Sequence, residues 1–395
     1  MKIYLIAGEP SGDALGARLI SAMKRKYKGE VEFFGVGGET MLSEGFTSLF
    51  DITDLAIMGL AEVIPSIPKV LKRINETVED IKKVEPDVVV TIDSWSFSCR
   101  VHKKLRNLGL GIKQVHYVAP QVWAWKKKRA ETMHEYIDLL LTLFPDEPQY
   151  FTPYDLEAKF VGHPVIESRV VDGRAEEFRK KFEIGSDKRV VLLLPGSRHN
   201  EVSRLLPLFF EAAKDLYSKD NKLYFVIPTV STVSKRVKKM AEKSNLPVLI
   251  VDTENDRHNA VAASEAAMAA SGTVALELAI ANVPHIIAYK VSVFSAFLAR
   301  MFLKIKFVNL SNILLNKEIV PELIQELATV ENINKNMTDL LAKGRLYQKQ
   351  MDGFAKVQEI LGMGKQRPSE RASEAIVAVT KQSCEKGVAC VYSEE

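Results

Sequence analysis

A chain of 395 residues, 47% apolar and 26% charged, has the composition of a soluble globular protein and the length of two domains rather than one. Its 54 basic and 50 acidic residues leave a net charge of only +4, so whole-molecule electrostatics give no argument for nucleic acid. Cys99, Cys384 and Cys390 have neither metal-ligand spacing nor an even framework and suit a reducing cytosol, and no run of about 18 apolar residues offers a spanning helix.

The N-terminal stretch is too short for a signal-peptide core, so a cytoplasmic protein is expected. Lys2 to Ala7 reads as a strand, followed by residues 8–13 (Gly-Glu-Pro-Ser-Gly-Asp) and an amphipathic helix to about Tyr27. Strand, glycine turn, helix is the opening of a doubly wound α/β domain. Here Gly8 and Gly12 would let backbone approach a ligand, and Ser11 or Asp13 would cap the helix. A second strand and glycine turn occupy 31–38. Residues 58–68 are apolar and interrupted by Pro65 and Pro68, with a helix from about Lys69 to Val84. Leu60, Ile64 and Ile67 there are either core or a hydrophobic lip that rests on lipid.

Residues 86–93 (Pro-Asp-Val-Val-Val-Thr-Ile-Asp) form the clearest parallel strand of this half and end on a carboxylate. Asp93 therefore stands where catalytic residues of such sheets stand, or else caps the next helix. Further strands are 113–118 and 139–143. Between them the basic run 126–129 follows an aromatic stretch and suits either a solvated helix face or an anionic membrane surface. His116 reads as a structural histidine, and His163, within Gly-His-Pro at 162–164, as part of a linker.

The domain boundary is expected within 170–186. This gives an N-terminal Rossmann-like domain over 1–168, a linker at 169–187, a second Rossmann-like domain over 188–330, closing helices at 331–382 and a loose tail at 383–395. The second domain opens on the apolar run 190–194, broken by Pro195-Gly196 ahead of a new helix. Arg198 on that loop can clamp a phosphate bidentately beside Ser197, against the plainer alternative of a surface arginine. Strands at 224–228, 248–251 and 266–270 follow, with a short helix over 259–265. Ser271, Gly272 and Thr273 then cap a helix whose first N–H groups suit a diphosphate, or an ordinary capped helix stands there with Glu277 exposed. Glu277, one turn further on the same face, can accept from both hydroxyls of a ribose. Residues 291–308 set Phe294, Phe297 and Phe302 on one broad face beside Arg300 and Lys304, as a core helix or an interfacial one. Residues 309–314, with Asn312, turn back toward the cleft, and 320–325 start the closing helices.

In chain order, the segments 8–13, 35–38 (Gly-Val-Gly-Gly), 58–62 (Met-Gly-Leu-Ala-Glu), 117–125 (Tyr-Val-Ala-Pro-Gln-Val-Trp-Ala-Trp), 162–164, 194–198 (Leu-Pro-Gly-Ser-Arg), 271–273 with Leu276-Glu277, and 308–312 (Val-Asn-Leu-Ser-Asn) resemble the lipid-A-disaccharide synthase family. Pro10 replaces that family's usual alanine, and Ser-Trp-Ser-Phe after Asp93 replaces its commoner Ala-Pro-Asp-Phe. The resemblance implies a GT-B glycosyltransferase, two doubly wound domains facing across a cleft, that works without metal or other cofactor. It implies joining of UDP-2,3-diacylglucosamine to 2,3-diacylglucosamine 1-phosphate, giving a disaccharide 1-phosphate and UDP. On it, Asp93 becomes the base, with Asp13 the alternative. Ser197, Arg198, Ser271, Gly272, Thr273, Glu277 and Asn312 would hold the nucleotide, and Gly8, Ser11, Gly12 and Asp13 would shape the acceptor side. Acylated substrates would give 58–68 and 294–306 a role against the inner face of the cytoplasmic membrane, as a peripheral protein. The family also suggests a homodimer.

Overall fold

The computed structural model describes residues 1–55, 60–120, 122, 128–290 and 306–387, with side chains for all of these except 60–66 and 382–387. Two compact units divide the chain: Met1–Pro164 with Gly364–Glu395, and Val165–Met363.

In the first unit, β1 (Lys2–Ala7), β2 (Glu32–Val36), β3 (Val88–Ile92), β4 (Lys113–Tyr117), β5 (Leu139–Thr142) and β6 (Glu157–Phe160) form one parallel sheet in the order β2-β1-β3-β4-β5-β6. Its described helices are α1 (Pro10–Tyr27), α2 (Glu39–Ser43), α3 (Leu60–Val84), α4 (Trp95–Asn107) and α5 (Lys128–Met133). The inner strands β1, β3 and β5 are mostly Val, Ile and Leu, as helices on both faces require, whereas inner β4 (Lys-Gln-Val-His-Tyr) buries polar Gln114 and His116. Leu5, Val90 and Val115 pack with Leu19 and Ile20 of α1, while Tyr4 and Val89 pack with Ile74 and Val78 of α3 and Val101 of α4.

The second unit is a parallel sheet of β7 (Arg189–Leu194), β8 (Leu223–Pro228), β9 (Val248–Val251), β10 (Ser264–Ala269), β11 (His285–Tyr289) and β12 (Glu322–Ile324), in the order β12-β11-β10-β7-β8-β9. Around it lie α6 (Ala175–Lys181), α7 (His199–Lys219), α8 (Ser231–Ala241), α9 (Glu254–Ala262), α10 (Thr273–Ile280), α11 (Leu310–Leu315), α12 (Val330–Leu341) and α13 (Arg345–Leu361). The last helix, α14 (Pro368–Gly387), belongs to the first unit, where Ala372, Ile376 and Val379 join the α1 layer.

Both units are doubly wound, as the alternating apolar runs predict. Several boundaries differ. The passage between units falls at Pro164, the last residue of the Gly-His-Pro stretch, and residues 169–187 are no linker. Phe178 is fully buried, the Arg174 N–H donates to Asn259 at 2.7 Å, and Lys181 pairs with Asp256 at 2.7 Å, so this stretch is bound to the second unit. The closing helices divide between units, because α14 carries an apolar face that the first unit buries. Cys384 lies within α14 rather than in a tail, and residues 388–395 lie outside the described residues. Pro65 and Pro68 stand inside α3 without ending it. The helix expected at 259–265 is α9, which starts earlier where Thr253 caps it by accepting the Asp256 N–H. Residues 322–324 form edge strand β12 rather than a helix start, pairing with β11.

Gly35 shows what the β1–β2 register requires. Its φ is +126°, and a Cβ there would sit 2.0 Å from the Leu5 carbonyl oxygen. Gly35→Ala is expected to destabilise the protein by about 3 kcal/mol or more, through both the left-handed backbone and the clash. Urea unfolding of the purified variant checks this, and an unchanged midpoint would contradict it.

Candidate active site

In each sheet two neighbouring strands send their connections in opposite directions, and ligands of open α/β sheets bind beyond the carboxyl ends of such strands. The pair is β1 and β3 in the first unit, β7 and β10 in the second. The four loops that follow them are the four singled out in the sequence: 8–9, 93–94, 195–198 and 270–272.

In the first unit, Asp93 and Ser94 adopt consecutive left-handed conformations, with φ of +55° and +44°. Two such non-glycine residues in a row carry strain that persists only where the surroundings fix it. Here the Asp93 N–H donates to the Tyr117 carbonyl at 2.9 Å, and the Ser98 hydroxyl donates to the Asp93 carbonyl at 2.8 Å. The Ser94 N–H donates to Asp93 Oδ1 at 2.8 Å. Among the described residues Asp93 Oδ2 accepts no hydrogen bond, and the side chain is only partly buried. A carboxylate with a pinned backbone and an open oxygen can take a proton. The plainer alternative, a helix cap, does not hold: Ser94 is the N-cap residue of α4, and no side chain caps it. The Ser94 hydroxyl donates to Glu9 at 3.1 Å, tying the two loops together.

Asp13 is a correction. It caps neither its own helix nor a substrate: its buried carboxylate accepts the N–H groups of Gly38 (2.7 Å), Thr40 (2.8 Å) and Met41 (3.1 Å) at the start of α2. Both oxygens are committed, which removes it as an alternative base. Both glycines allow close packing within the unit. A Cβ on Gly8 would lie 2.7 Å from Ser94 Oγ, and one on Gly12 would lie 3.0 Å from the Ile92 carbonyl. Ser11 is exposed on the first turn of α1. Pro10 occupies the first turn, where its missing N–H costs nothing.

Behind Asp93 runs a buried polar chain. Thr91 Oγ1 lies 2.7 Å from both His102 Nε2 and His116 Nδ1, and His102 Nδ1 lies 2.8 Å from Gln114. Burial holds the His102 imidazole down to about 4 and His116 well below its usual range, so both are neutral near pH 7. Enclosed and neutral, they support the strand tip. His163 is also buried, against Phe144.

In the second unit, β7 leads through Pro195 and Gly196 to Ser197 and Arg198, the residue before α7. Glu201 Oε2 accepts the N–H groups of Ser197 (3.2 Å) and Arg198 (3.3 Å), and the Arg198 guanidinium donates to Glu201 Oε1 at 3.0 Å. Gly196 has φ +101°, and a Cβ would fall 2.2 Å from Glu201 Oε2. Glu201 thus props the loop from beneath. The spacing of a glutamate three residues after a helix cap carried that signal. Arg198 itself is 80% exposed, its guanidinium open to an anion.

Beside it, the Ala270 N–H donates to the Leu194 carbonyl at 2.8 Å, and Gly272 opens α10 with φ +135° and no side-chain cap. Ser271 does not cap the helix as expected; its hydroxyl reaches the Val308 carbonyl at 3.4 Å. Among the described residues a Cβ on Gly272 would meet nothing within 4 Å, which leaves the helix start uncovered by its own unit's described residues. Glu277, one turn on, pairs with Arg257 of α9, a partner the sequence pattern did not suggest.

Asn312 is a second correction. It is fully buried and its amide is spent on the chain: Nδ2 donates to the Val320 carbonyl and to Glu322, both at 2.8 Å, and Oδ1 accepts from Ile319 (2.8 Å) and Val320 (3.0 Å). It ties α11 to β12 and does not face a ligand. Among the expected lipid contacts, Ile67 is 47% exposed on α3, with Leu71 equally so one turn on. The side chains of Leu60 and Ile64, and all of Phe294, Phe297, Arg300, Phe302 and Lys304, lie outside what the structure describes. Among the described residues no three His, Cys, Asp or Glu side chains are grouped to hold a metal ion.

The fold, two doubly wound units with loops gathered at their switch points, is that of the GT-B glycosyltransferases. It is shared with UDP-GlcNAc 2-epimerase from Neisseria meningitidis, solved with UDP-GlcNAc bound, at a TM-score of 0.63 and 13% identity over 97% of this chain and 100% of that one. Acinetobacter baumannii MurG has a TM-score of 0.51 at 15% identity, over 91% of this chain and 99% of its own. The family model for lipid-A-disaccharide synthetase matches residues 3–376. Lipid-A-disaccharide synthase of Paramagnetospirillum magneticum is 44% identical over 98% of this chain and 99% of its own, and that of Rickettsia felis is 37% identical over 95% of each. The chain belongs to the lipid-A-disaccharide synthase family, and it is an enzyme of lipid A synthesis.

Proposed function

We propose that the enzyme joins UDP-2,3-diacylglucosamine to 2,3-diacylglucosamine 1-phosphate with inversion at the donor's anomeric carbon. The acceptor 6-hydroxyl oxygen attacks that carbon, its proton passes to Asp93, and the bond to the β-phosphate breaks with its electron pair leaving on UDP. Arg198 and the open start of α10 at Gly272-Thr273 stabilise the charge developing on the diphosphate without a metal ion. Glu277 accepts from the ribose. The observation that carries this reading is the partition of chemistry between switch points: a carboxylate with an open oxygen in one unit, an exposed arginine beside an uncapped helix start in the other. The apolar pair Ile67 and Leu71 supports peripheral contact with the membrane, and no helix among the described residues is long and apolar enough to cross one.

The test is turnover in mixed micelles after chelator treatment, with both acylated substrates present and UDP release and product mass followed together. A tetra-acyl disaccharide monophosphate formed without metal is the expected product. Its absence, with epimerisation of UDP-N-acetylglucosamine instead, would overturn the substrate assignment.

Arg257 gives a sharper check on the ribose contact. Its guanidinium occupies Oε2 of Glu277 and so orients the other oxygen. Arg257→Met is expected to weaken UDP binding about tenfold, the scale of a charge-assisted hydrogen bond. Calorimetry with UDP and 2′-deoxy-UDP should show the gap between the two ligands narrowing. An unchanged gap would mean that Glu277 does not hold the ribose.

A further inference from the structure

A cavity of about 730 Å³ opens within the first unit between the loop after β1 and the segment after β2. Its apolar lining is Pro10, Leu42, Phe50 and Ile52, and its charged lining is Glu39, Asp51 and the committed Asp13. The wall is the turn at Gly37 and Gly38, held on Asp13 by three N–H donors. Packing there is close: a Cβ on Gly38 would come within 2.6 Å of Ile52 Cδ1 and 2.9 Å of Asp13 Oδ2. The floor is fixed as well. The Arg73 guanidinium stacks 4.6 Å from the Phe50 ring centroid and pairs with Asp54 and Glu76, which fastens the 50–55 segment to α3. At the mouth Leu42 is 46% exposed, a large apolar side chain that the fold itself does not cover.

We propose that this cavity takes an acyl chain of the acceptor lipid and sets which chains the enzyme accepts. The proposal rests on the lipid substrates given under Proposed function. Charge complementarity decides the occupant. Among the described residues every charged side chain lining the cavity is acidic and no lysine or arginine lines it, so a phosphate or nucleotide is repelled while a neutral hydrocarbon is not. Most of the lining surface is carbon, which favours burial of methylenes. Its position fits the acceptor. Pro10 lies next to Glu9, and Glu9 is hydrogen-bonded to Ser94 beside the proposed base. An acceptor whose sugar sits at Asp93 therefore has this cavity in the same loop cluster.

The test compares acceptors with one glucosamine phosphate head and either myristoyl or butyryl chains, using the full-length enzyme with Leu42→Trp or Thr47→Trp. Both positions are exposed, so the added ring narrows the mouth without entering the core. The ratio of kcat/KM for myristoyl over butyryl acceptor is expected to fall at least about tenfold, the selectivity that burial of two methylenes provides. An unchanged ratio, including an equal loss on both acceptors, would overturn the proposal. A second measurement stands apart from the variants: a myristoyl acceptor with a terminal diazirine, irradiated with wild-type enzyme, should label the peptide spanning 39–53, and labelling confined elsewhere would also overturn it. If the wild-type enzyme turns over neither acceptor, the substrate assignment falls and this inference with it. Turnover of both with an unaltered ratio sinks the cavity alone.

Discussion

Asp93→Asn should lower kcat by about a thousandfold, within the range that a positioned general base contributes. The substitution is nearly isosteric, and asparagine tolerates the left-handed backbone at least as well as aspartate does. The contacts that hold the turn, from the Asp93 N–H to Tyr117 and from Ser98 to the Asp93 carbonyl, use main-chain atoms and survive the change. The loss should therefore appear in turnover, with the thermal midpoint and UDP affinity unmoved. Rapid-quench measurement of a single turnover separates the chemical step from product release. If turnover survives within about tenfold, a cost of only about 1.4 kcal/mol, Asp93 is not the base. Asp13→Asn makes the contrast. An amide oxygen cannot replace a carboxylate that accepts three N–H groups, so that variant should lose stability first.

Arg198→Met should lower kcat/KM by about a hundredfold to a thousandfold, the scale of a lost donor to developing charge. Arg198→Lys should recover only part of this, because an ammonium lacks the planar fork that grips two phosphate oxygens. The fold should not notice either change. The side chain is 80% exposed, and its one ion pair in the described structure, with Glu201 three residues along the helix, is of the surface kind that contributes little. UDP release assays together with unfolding curves check both parts. Full activity in Arg198→Met would leave the leaving group without its proposed cation.

The inner strands were legible because a parallel strand buried on both faces must be apolar throughout, as the run from Val190 to Leu194 is. From those strands the four loops at the switch points followed directly. Edge strands gave weaker signals: β6 is Glu-Ala-Lys-Phe, with one face in water, and β12 has three residues. The candidate site was legible at Arg198 only as an exposed side chain on a switch-point loop. It was misread where a polar side chain serves the main chain of a distant segment. Asp13 answers N–H groups about 25 residues on, and Asn312 those of the strand approach at 319–320. In sequence, such residues look like ligand-binding groups, because both tasks need a short polar side chain at a turn. Glu201 and Arg257 were overlooked for the converse reason, since each acts through a residue that had already drawn notice.

The return of α14 to the first unit has a consequence for how the chain is made. Ile376 and Val379 complete the layer around Leu19 and Ile20, yet they leave the ribosome after the whole of the second unit. The unit begun first is thus finished last, and the nascent polypeptide carries a bare apolar surface on α1 throughout most of its synthesis. A stop codon near residue 365 would remove a small fraction of the length and leave the earliest-made portion without its lid.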